Sequence, residues 1–156
     1  MTRSQHIDIV IGALYLDGTT HRNYTYLFHR GRYTIANKVV LVPFGEANPL
    51  PKFASRWVNQ LFFDGAIDDT ASAQPIDWTI QDQSYRNAIC YEATSETLYA
   101  DRPHCMIVTS NNAWFVPSIE PTFQRLLLEY YVRKYGTTIY HATNMSPAFV
   151  LQRKPQ

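Results

Sequence analysis

The sequence predicts an α/β layered fold, and three observations support that prediction. The opening of the chain, from His6 to Lys38, is dense in β-branched and aromatic residues, and Asp17-Gly18 and Arg30-Gly31 supply turn chemistry within it. The second half alternates strand-like apolar runs with helical segments. The clearest helical periodicity, over 117–136, lies between two of those runs.

The first half of the chain is predicted to pass from consecutive strands into a rigid loop and a short helix. Three prolines and a glycine fall within "VVLVPFGEANPLPKF", which favours an extended loop. Phe53, Trp57 and Leu61 then recur at helical spacing, and Asp64-Gly65 ends that segment. We therefore expect a helix over 52–63, followed by a polar connector.

The second half supplies the remaining strands and the best helix. Strands are predicted in "IDWTI", "YRNAIC", "HCMIVTS", "TTIYHATN" and "AFVLQ", with a short helix in "SETLYADR". In "PSIEPTFQRLLLEYYVRKYG", Ser118 is the expected cap and Gly136 the expected end. The apolar face of this helix is predicted to consist of Phe123, Leu126, Leu127, Tyr130 and Tyr131. The pattern shows no repeat and no internal boundary, so residues 1–156 are expected to form one domain.

Composition and charge exclude several classes of function. The 156 residues are 46% hydrophobic and 17% charged with a net charge of +1, which is typical of a soluble globular domain and gives no basic surface for nucleic acid. The longest apolar run, Ile9 to Leu16, is far below the roughly 20 residues that span a bilayer. The five histidines lack zinc-type spacing, so we expect neither a metal nor a cofactor. Both cysteines are expected to be free thiols.

Cys90 is the leading candidate nucleophile. It closes the apolar run Ala88-Ile89-Cys90, shortly before a helix start expected at Thr94 or Ser95. A thiol at a strand end near a helix N-terminus is expected to have a lowered pKa, which yields the reactive thiolate. The alternative is a buried structural cysteine. A pairing with a histidine in space is also open, and the sequence does not select which histidine.

Two charged residues and one polar segment have alternative interpretations. Lys38 follows an apolar strand, and it either reaches water or pairs with a carboxylate to stabilise an oxyanion. Glu46, in the proline-rich loop, is either a solvated carboxylate or one that points into a site. "SNNAWF" directly follows a buried strand, so it shares a sheet edge with Cys90 if the two strands are parallel; its asparagines are otherwise turn formers.

Four segments follow one another along the chain: "NKVVLVPFGE", "YRNAICYEATSE", "SNNAWFVPSIEPTFQ" and "TTIYHATNMSP". In this order and spacing they resemble the nitrilase superfamily, and more closely its apolipoprotein N-acyltransferase family, with a resemblance that runs from about Ile7 to Phe149. It implies a four-layer α-β-β-α sandwich of the carbon-nitrogen hydrolase type, present here in incomplete form.

The resemblance also implies roles for individual residues. Cys90 would be the nucleophile, Lys38 the residue that stabilises the tetrahedral oxyanion, and Glu46 an additional active-site carboxylate. Five further residues are expected to contribute to substrate binding: Tyr91, Glu92, Asn111, Asn112 and Trp114.

The implied reaction moves a fatty acyl chain from a phospholipid to the N-terminal amine of a diacylglyceryl-cysteine lipoprotein, through a thioester on Cys90. The full-length enzymes of that family work at the periplasmic face of the bacterial inner membrane. In this interpretation Trp57, Phe62 and Phe63 either form a lipid-facing flap or are core residues. A soluble amidase or nitrilase, and a catalytically inactive remnant, are the alternatives.

The sequence departs from the family pattern at its beginning. The family's first catalytic glutamate, a general base, precedes the segment that matches "HIDIVIG", and no residue of 1–156 corresponds to it. The chain therefore resembles the central and C-terminal piece of a larger enzyme, without its membrane region and last strands. Loss of a general base typically costs about 10²–10⁴-fold in rate, so the isolated chain is expected to be nearly inactive.

Overall fold

A computed structural model describes residues 7–17, 20–42, 71–115 and 117–153. These residues form eight β-strands in two sheets, one α-helix and three short 3₁₀ helices. No helix within these ranges is both long enough and apolar enough to cross a bilayer. The predicted loop beyond residue 42 and the predicted helix over 52–63 lie outside the described residues.

The first sheet is an antiparallel meander built from the opening of the chain. Its strands are β1 (Ile9–Asp17), β2 (Thr20–His29) and β3 (Arg32–Asn37), in that order across the sheet. Arg30 and Gly31 both have positive φ, 49° and 76°, and form the two-residue turn between β2 and β3. The consecutive strands predicted for this region are confirmed.

The second sheet contains five strands, three of which are parallel. They are β4 (Asp77–Ile80), β5 (Gln83–Ile89), β6 (Cys105–Asn111), β7 (Thr138–Asn144) and β8 (Phe149–Leu151). β5, β6 and β7 run parallel, while β4 and β8 pair antiparallel at the two edges. The carboxyl ends of β5, β6 and β7 therefore meet at one edge of the sheet. All five strands occur where the sequence predicts them.

The two sheets pack face to face at close range. The hydroxyl groups of Thr25 and Thr109 hydrogen bond across the interface at 3.2 Å. A Cβ at Gly12 would lie 3.2 Å from Thr109 Oγ1, so any larger residue there would require Thr109 to shift by a few tenths of an ångström. Leu27 and Trp78 are buried in the same layer. This interface forms the centre of the predicted sandwich.

Helix α1 (Glu120–Tyr135) covers the other face of the second sheet. Leu128 and Val132 of α1 pack on Met106 and Ile139, and all four are at most 3% exposed. Gly136, at φ 78°, ends the helix as predicted. The described residues thus supply an α layer and two β layers of the expected sandwich, which confirms the α/β class.

The predicted apolar face of α1 is wrong, and so is its predicted cap. Phe123, Leu126, Leu127 and Tyr130 are 44–57% exposed, and of the five predicted residues only Tyr131 is buried. The buried residues of the helix are Gln124, Leu128, Tyr131 and Val132. The helix has two apolar stripes. The stripe that faces the sheet includes the polar Gln124, so its hydrophobic pattern is harder to recognise in the sequence. The residue at the N-cap position is Ile119, although the hydroxyl of Ser118 accepts the Glu120 N–H at 3.2 Å.

Candidate active site

Cys90 occupies a strained turn at the carboxyl end of β5. Its φ is 54°, a left-handed conformation that costs a non-glycine residue of order 1–3 kcal/mol. A 3₁₀ helix that was not predicted, Cys90–Thr94, begins at this residue. The helix start predicted at Thr94 or Ser95 is confirmed by the next 3₁₀ helix, Glu96–Tyr99, whose N-cap is Ser95. The side chain is half-buried and the thiol is free. A nucleophile on a strained strand-to-helix turn is presented at the sheet edge.

The electrostatic environment of Cys90 differs from the sequence-based expectation. Burial raises the pKa of the Cys90 thiol above its ordinary value, and this effect outweighs three that lower it. Those three are the Lys38 ammonium, the backbone N–H of Tyr91 and the hydroxyl of Ser110, while Glu120 adds to the increase. The predicted decrease was wrong because a five-residue 3₁₀ helix offers little dipole to offset desolvation.

Lys38 lies close enough to Cys90 to act on the charge of its sulfur, although the two residues are 52 positions apart in the sequence. It directly follows β3, is 2% exposed, and its backbone N–H donates to Asn37 Oδ1 at 2.8 Å. Its ammonium stabilises negative charge on both the Cys90 sulfur and the Glu92 carboxylate. The structure therefore brings together the predicted nucleophile and the predicted oxyanion-stabilising cation.

Glu92 connects the Lys38 segment to the turn that carries Cys90. One of its carboxylate oxygens accepts the N–H groups of Val39 and Val40, at 2.8 and 3.2 Å, and the other accepts that of Ile89 at 2.6 Å. The residue is 1% exposed. Burial raises the pKa of this carboxyl, against the lowering effect of the N–H groups and Lys38. Because both oxygens are occupied by backbone donors, we assign Glu92 to positioning rather than to the predicted substrate contact.

Ser110 and His141 belong to the same site, and the sequence did not single out either one. Ser110 Oγ lies 2.8 Å from His141 Nε2, and the Ser110 side chain is one of the groups that lower the pKa of the Cys90 thiol. His141 is 3% exposed and packs edge-on against the Phe149 ring, with 4.6 Å between centroids. Its burial lowers the pKa of the imidazole to about 4. Predicting that Ser110 and His141 lie together would require the register of β6 on β7, which a single sequence does not reveal.

The asparagines that follow β6 are engaged in turn contacts. Asn111 Oδ1 accepts the Ala113 N–H at 3.1 Å and the Asn144 side-chain amide at 2.6 Å. Asn112 is 2% exposed, and its side-chain amide donates to Ser146 Oγ at 2.7 Å. These contacts favour the turn-forming interpretation.

Of the remaining predicted site residues, Tyr91 and the backbone of Trp114 lie within the described part of the chain. Tyr91, the residue after Cys90, is 39% exposed. Trp114 lies in the 3₁₀ helix Asn112–Phe115, with its side chain outside the described part. Glu46 lies outside the described residues, as do Trp57, Phe62 and Phe63.

A shallow groove of about 380 Å³ adjoins the Cys90 turn. We call it the elbow groove; its lining is Tyr91, Thr94, Ser118, Ile119, Glu120, Phe123, Gln124 and Leu127. It is mostly apolar, and Ile119 and Phe123 are 68% and 57% exposed. A larger cleft of about 780 Å³ opens between the two sheets. Cys90 is not among the lining residues of either cavity, and the elbow groove is the one that is lined by its neighbour Tyr91.

Comparison with known proteins gives close relatives over nearly the whole chain. No family model matches it. An apolipoprotein N-acyltransferase of Wolinella succinogenes is 54% identical over 150 residues, which is 96% of this chain and 36% of the relative. Apolipoprotein N-acyltransferases of Helicobacter hepaticus and Helicobacter pylori are 46% and 44% identical, over 95% of this chain in each case and 38% and 35% of the relatives. The chain thus spans about a third of the length of these curated relatives.

Solved structures with the same fold are amidases of the nitrilase superfamily. An amidase from Nesterenkonia sp. aligns with a TM-score of 0.66 at 15% identity, over 97% of this chain and 55% of that one. A cysteine-to-alanine mutant of the amidase from Nesterenkonia sp. AN1, in complex with butyramide, aligns with a TM-score of 0.67 at 15% identity, over 97% of this chain and 56% of that chain. At this identity the likeness concerns the fold alone, and it confirms the predicted nitrilase-like sandwich.

Proposed function

We propose that Cys90 is the nucleophile of an N-acyltransferase. The premise is that this chain is a homologue of part of the apolipoprotein N-acyltransferases and has the nitrilase-superfamily fold. The observation that carries the proposal is the convergence of three elements at one sheet edge. Cys90 occupies a strained turn after β5, the Lys38 ammonium acts on its sulfur, and Glu92 holds both segments together.

In the first half-reaction the Cys90 thiol loses its proton and the sulfur attacks an ester carbonyl of a phospholipid. The negative charge that develops on the carbonyl oxygen is stabilised by the Lys38 ammonium. Collapse of the tetrahedral intermediate breaks the ester C–O bond. The lysophospholipid leaves as an alcohol after gaining a proton, and the acyl group remains on sulfur as a thioester.

In the second half-reaction the α-amine of a diacylglyceryl-cysteine attacks the thioester carbonyl. Lys38 again stabilises the oxyanion, the Cys90 thiolate leaves, and the amine loses a proton as the amide forms. Glu46 retains its proposed role as an additional active-site carboxylate. Asn111, Asn112 and Trp114 are proposed to shape the substrate pocket through the turn that they build.

The elbow groove supports a lipid rather than a small polar substrate. It begins at Tyr91, the residue after the nucleophile, and continues along Ile119, Phe123 and Leu127 of the α1 region. An apolar groove that begins at the residue after Cys90 suits the methylene chain of a fatty acid, because each buried CH₂ contributes about 0.8 kcal/mol. We propose that the acyl chain lies in this groove.

A second candidate is hydrolysis of a carbon-nitrogen bond in a small molecule, with water as the second nucleophile. The observation that favours it is the fold likeness to amidases of the nitrilase superfamily. The two functions share the Cys90 acyl-enzyme and differ in the acceptor. The curated relatives named for acyl transfer, together with the elbow groove, make the transferase our first choice.

The distinguishing experiment supplies the intact protein with a fluorescent phospholipid and a diacylated lipopeptide, and separates the products by mass. Because no residue of 1–156 is proposed to act as the general base, turnover is expected to be about 10²–10⁴-fold slower than with one, and products are collected over correspondingly long incubations. Acyl transfer predicts a triacylated lipopeptide and a lysophospholipid in equal amounts. Hydrolysis predicts free fatty acid, or ammonia from small amides, with the lipopeptide unchanged. Cys90→Ser and Lys38→Met are expected to lower either activity at least about 10²-fold, because the first weakens the nucleophile and the second removes the oxyanion cation. Unchanged turnover in both variants would contradict the proposal.

A further inference from the structure

Two polar side chains at the start of α1 line the elbow groove with hydrogen-bonding atoms that are not used. Gln124 is 2% exposed, and neither its amide nitrogen nor its amide oxygen has a partner in the part of the chain that the structure describes. Glu120 is half-buried, and its Oε2 is buried and without a partner in the same part. Both residues belong to the groove lining. Because buried polar atoms are nearly always hydrogen bonded, three such atoms at one groove indicate a missing ligand.

Glu120 and Gln124 act from one side of the groove, close to the Cys90 turn. They are four residues apart in α1, about one helical turn, so their side chains lie on the same face of the helix. The helix packs against the 3₁₀ helix that begins at Cys90, and Tyr91 lines the same groove. A ligand group held by this pair therefore lies beside the segment that carries the nucleophile.

The backbone at the start of α1 excludes an anion as that ligand. The Glu120 N–H donates to Ser118 Oγ at 3.2 Å. The N–H groups of Thr122 and Phe123 donate to the Ile119 carbonyl, at 3.1 and 3.2 Å, and the residue between Glu120 and Thr122 is a proline, which has no N–H. The first turn thus offers no unused N–H to a phosphate or carboxylate, and the Glu120 carboxylate would repel one.

We propose that Glu120 and Gln124 bind the primary amine of a substrate beside the Cys90 turn. The two unused oxygens accept N–H groups of the amine, and the Gln124 NH₂ group donates to a carbonyl or phosphate oxygen of the same molecule. The inference rests on the proposed function for its choice of ligand, because two molecules of that reaction carry this combination. They are the lipopeptide, through its N-terminal cysteine, and an aminophospholipid, through its headgroup.

The experiment measures binding by isothermal titration calorimetry to the intact protein carrying Cys90→Ser, which removes the acylation step. One arm compares a short-chain diacylated lipopeptide with its N-acetylated form, and the other compares a short-chain phosphatidylethanolamine with its N-acetylated form. Acetylation removes the charge-assisted hydrogen bonds, so the free amine is expected to bind at least about tenfold more tightly in one arm, which identifies the source of the amine. Glu120→Gln and Gln124→Leu are each expected to reduce that preference below about threefold.

A matched control and a stability measurement separate binding from a structural role. Glu129→Gln changes a carboxylate of the same helix that pairs with Arg125 outside the groove lining, and it is expected to keep the full preference. Gln124→Leu is expected to unfold at the same urea concentration as the background protein or a higher one, because it replaces a buried amide without partners by an apolar side chain.

The outcome does not depend on turnover, so it can be told apart from a failure of the proposed function. Protein with an intact Cys90 that forms no acyl adduct, together with a clear amine preference in the Cys90→Ser protein, would contradict the transferase and leave the amine site standing. A preference below about threefold in both arms, or one that survives both Glu120→Gln and Gln124→Leu, would overturn the amine site. Loss of the preference in Glu129→Gln would overturn it as well.

Discussion

Exchange of Glu92 for glutamine is the most informative perturbation of the site's architecture. The carboxylate accepts three backbone N–H groups, two on one oxygen and one on the other. A glutamine side chain has one acceptor oxygen, so at best it retains the Val39 and Val40 bonds and turns its NH₂ group toward the Ile89 N–H. One buried donor is then unpaired, which costs about 1–3 kcal/mol, and two charge-assisted bonds become neutral ones.

We therefore expect Glu92→Gln to lower the free energy of unfolding by about 2–4 kcal/mol. The Cys90 turn and the Lys38 segment separate when this connection weakens, so alkylation of Cys90 is also expected to change its pH profile. Urea denaturation measures the first effect and iodoacetamide kinetics the second.

The matched control is Glu96→Gln. Glu96 is exposed and pairs with Lys134 and Tyr135 at the surface, so its exchange is expected to leave the free energy of unfolding close to that of the parent. If Glu92→Gln were as stable as the parent, or no less stable than the control, the positioning role assigned to Glu92 would be refuted.

Three further outcomes are expected. Burial lowers the pKa of His141 from 6.5 to about 4, so between these two pH values the folded state binds fewer protons than the unfolded state. The free energy of unfolding is therefore expected to fall by about 1.4 kcal/mol per pH unit as the pH drops from about 6.5 to about 4. Urea titrations of His141→Gln should lack this contribution. Leu127→Asp in the elbow groove should slow acylation of Cys90 by long-chain esters at least about tenfold and leave the rate with acetyl esters unchanged. The control is Leu126→Asp, which is similarly exposed but outside the groove lining and should change neither acylation rate. Arg86→Met should lower the free energy of unfolding by about 3 kcal/mol, since the buried guanidinium holds Asp77 and Asp101; a loss below about 1 kcal/mol in urea would contradict that role.

The elements of the fold follow closely from local patterns in the sequence. β-branched and aromatic runs between turn residues predict all eight described strands, and Gly136 marks the end of α1. The orientation of α1 does not follow in the same way. Its apolar residues form two stripes, and the stripe against the sheet contains Gln124, so hydrophobicity alone selects the stripe that remains exposed.

The site is predictable only in part, because its contacts join distant segments. Cys90 at a strand end is visible in the sequence, and Lys38 enters through the family resemblance. The pairing of Ser110 with His141 requires the register of two parallel strands, which periodicity does not specify. The pKa of the thiol was predicted in the wrong direction because burial depends on packing around the whole turn and not on the helix start alone.

The central claim, that the Cys90 sulfur receives an acyl group, is tested most directly by mass spectrometry of the intact protein after exposure to a phospholipid. The account predicts one acyl adduct on the peptide that contains Cys90, released by hydroxylamine as expected for a thioester. Cys105 is the internal control, since it is 2% exposed and accepts a hydrogen bond from the Gln83 side-chain amide at 2.8 Å. An adduct on both thiols, or none on Cys90 in protein whose Cys90 is alkylated by iodoacetamide, would contradict the account.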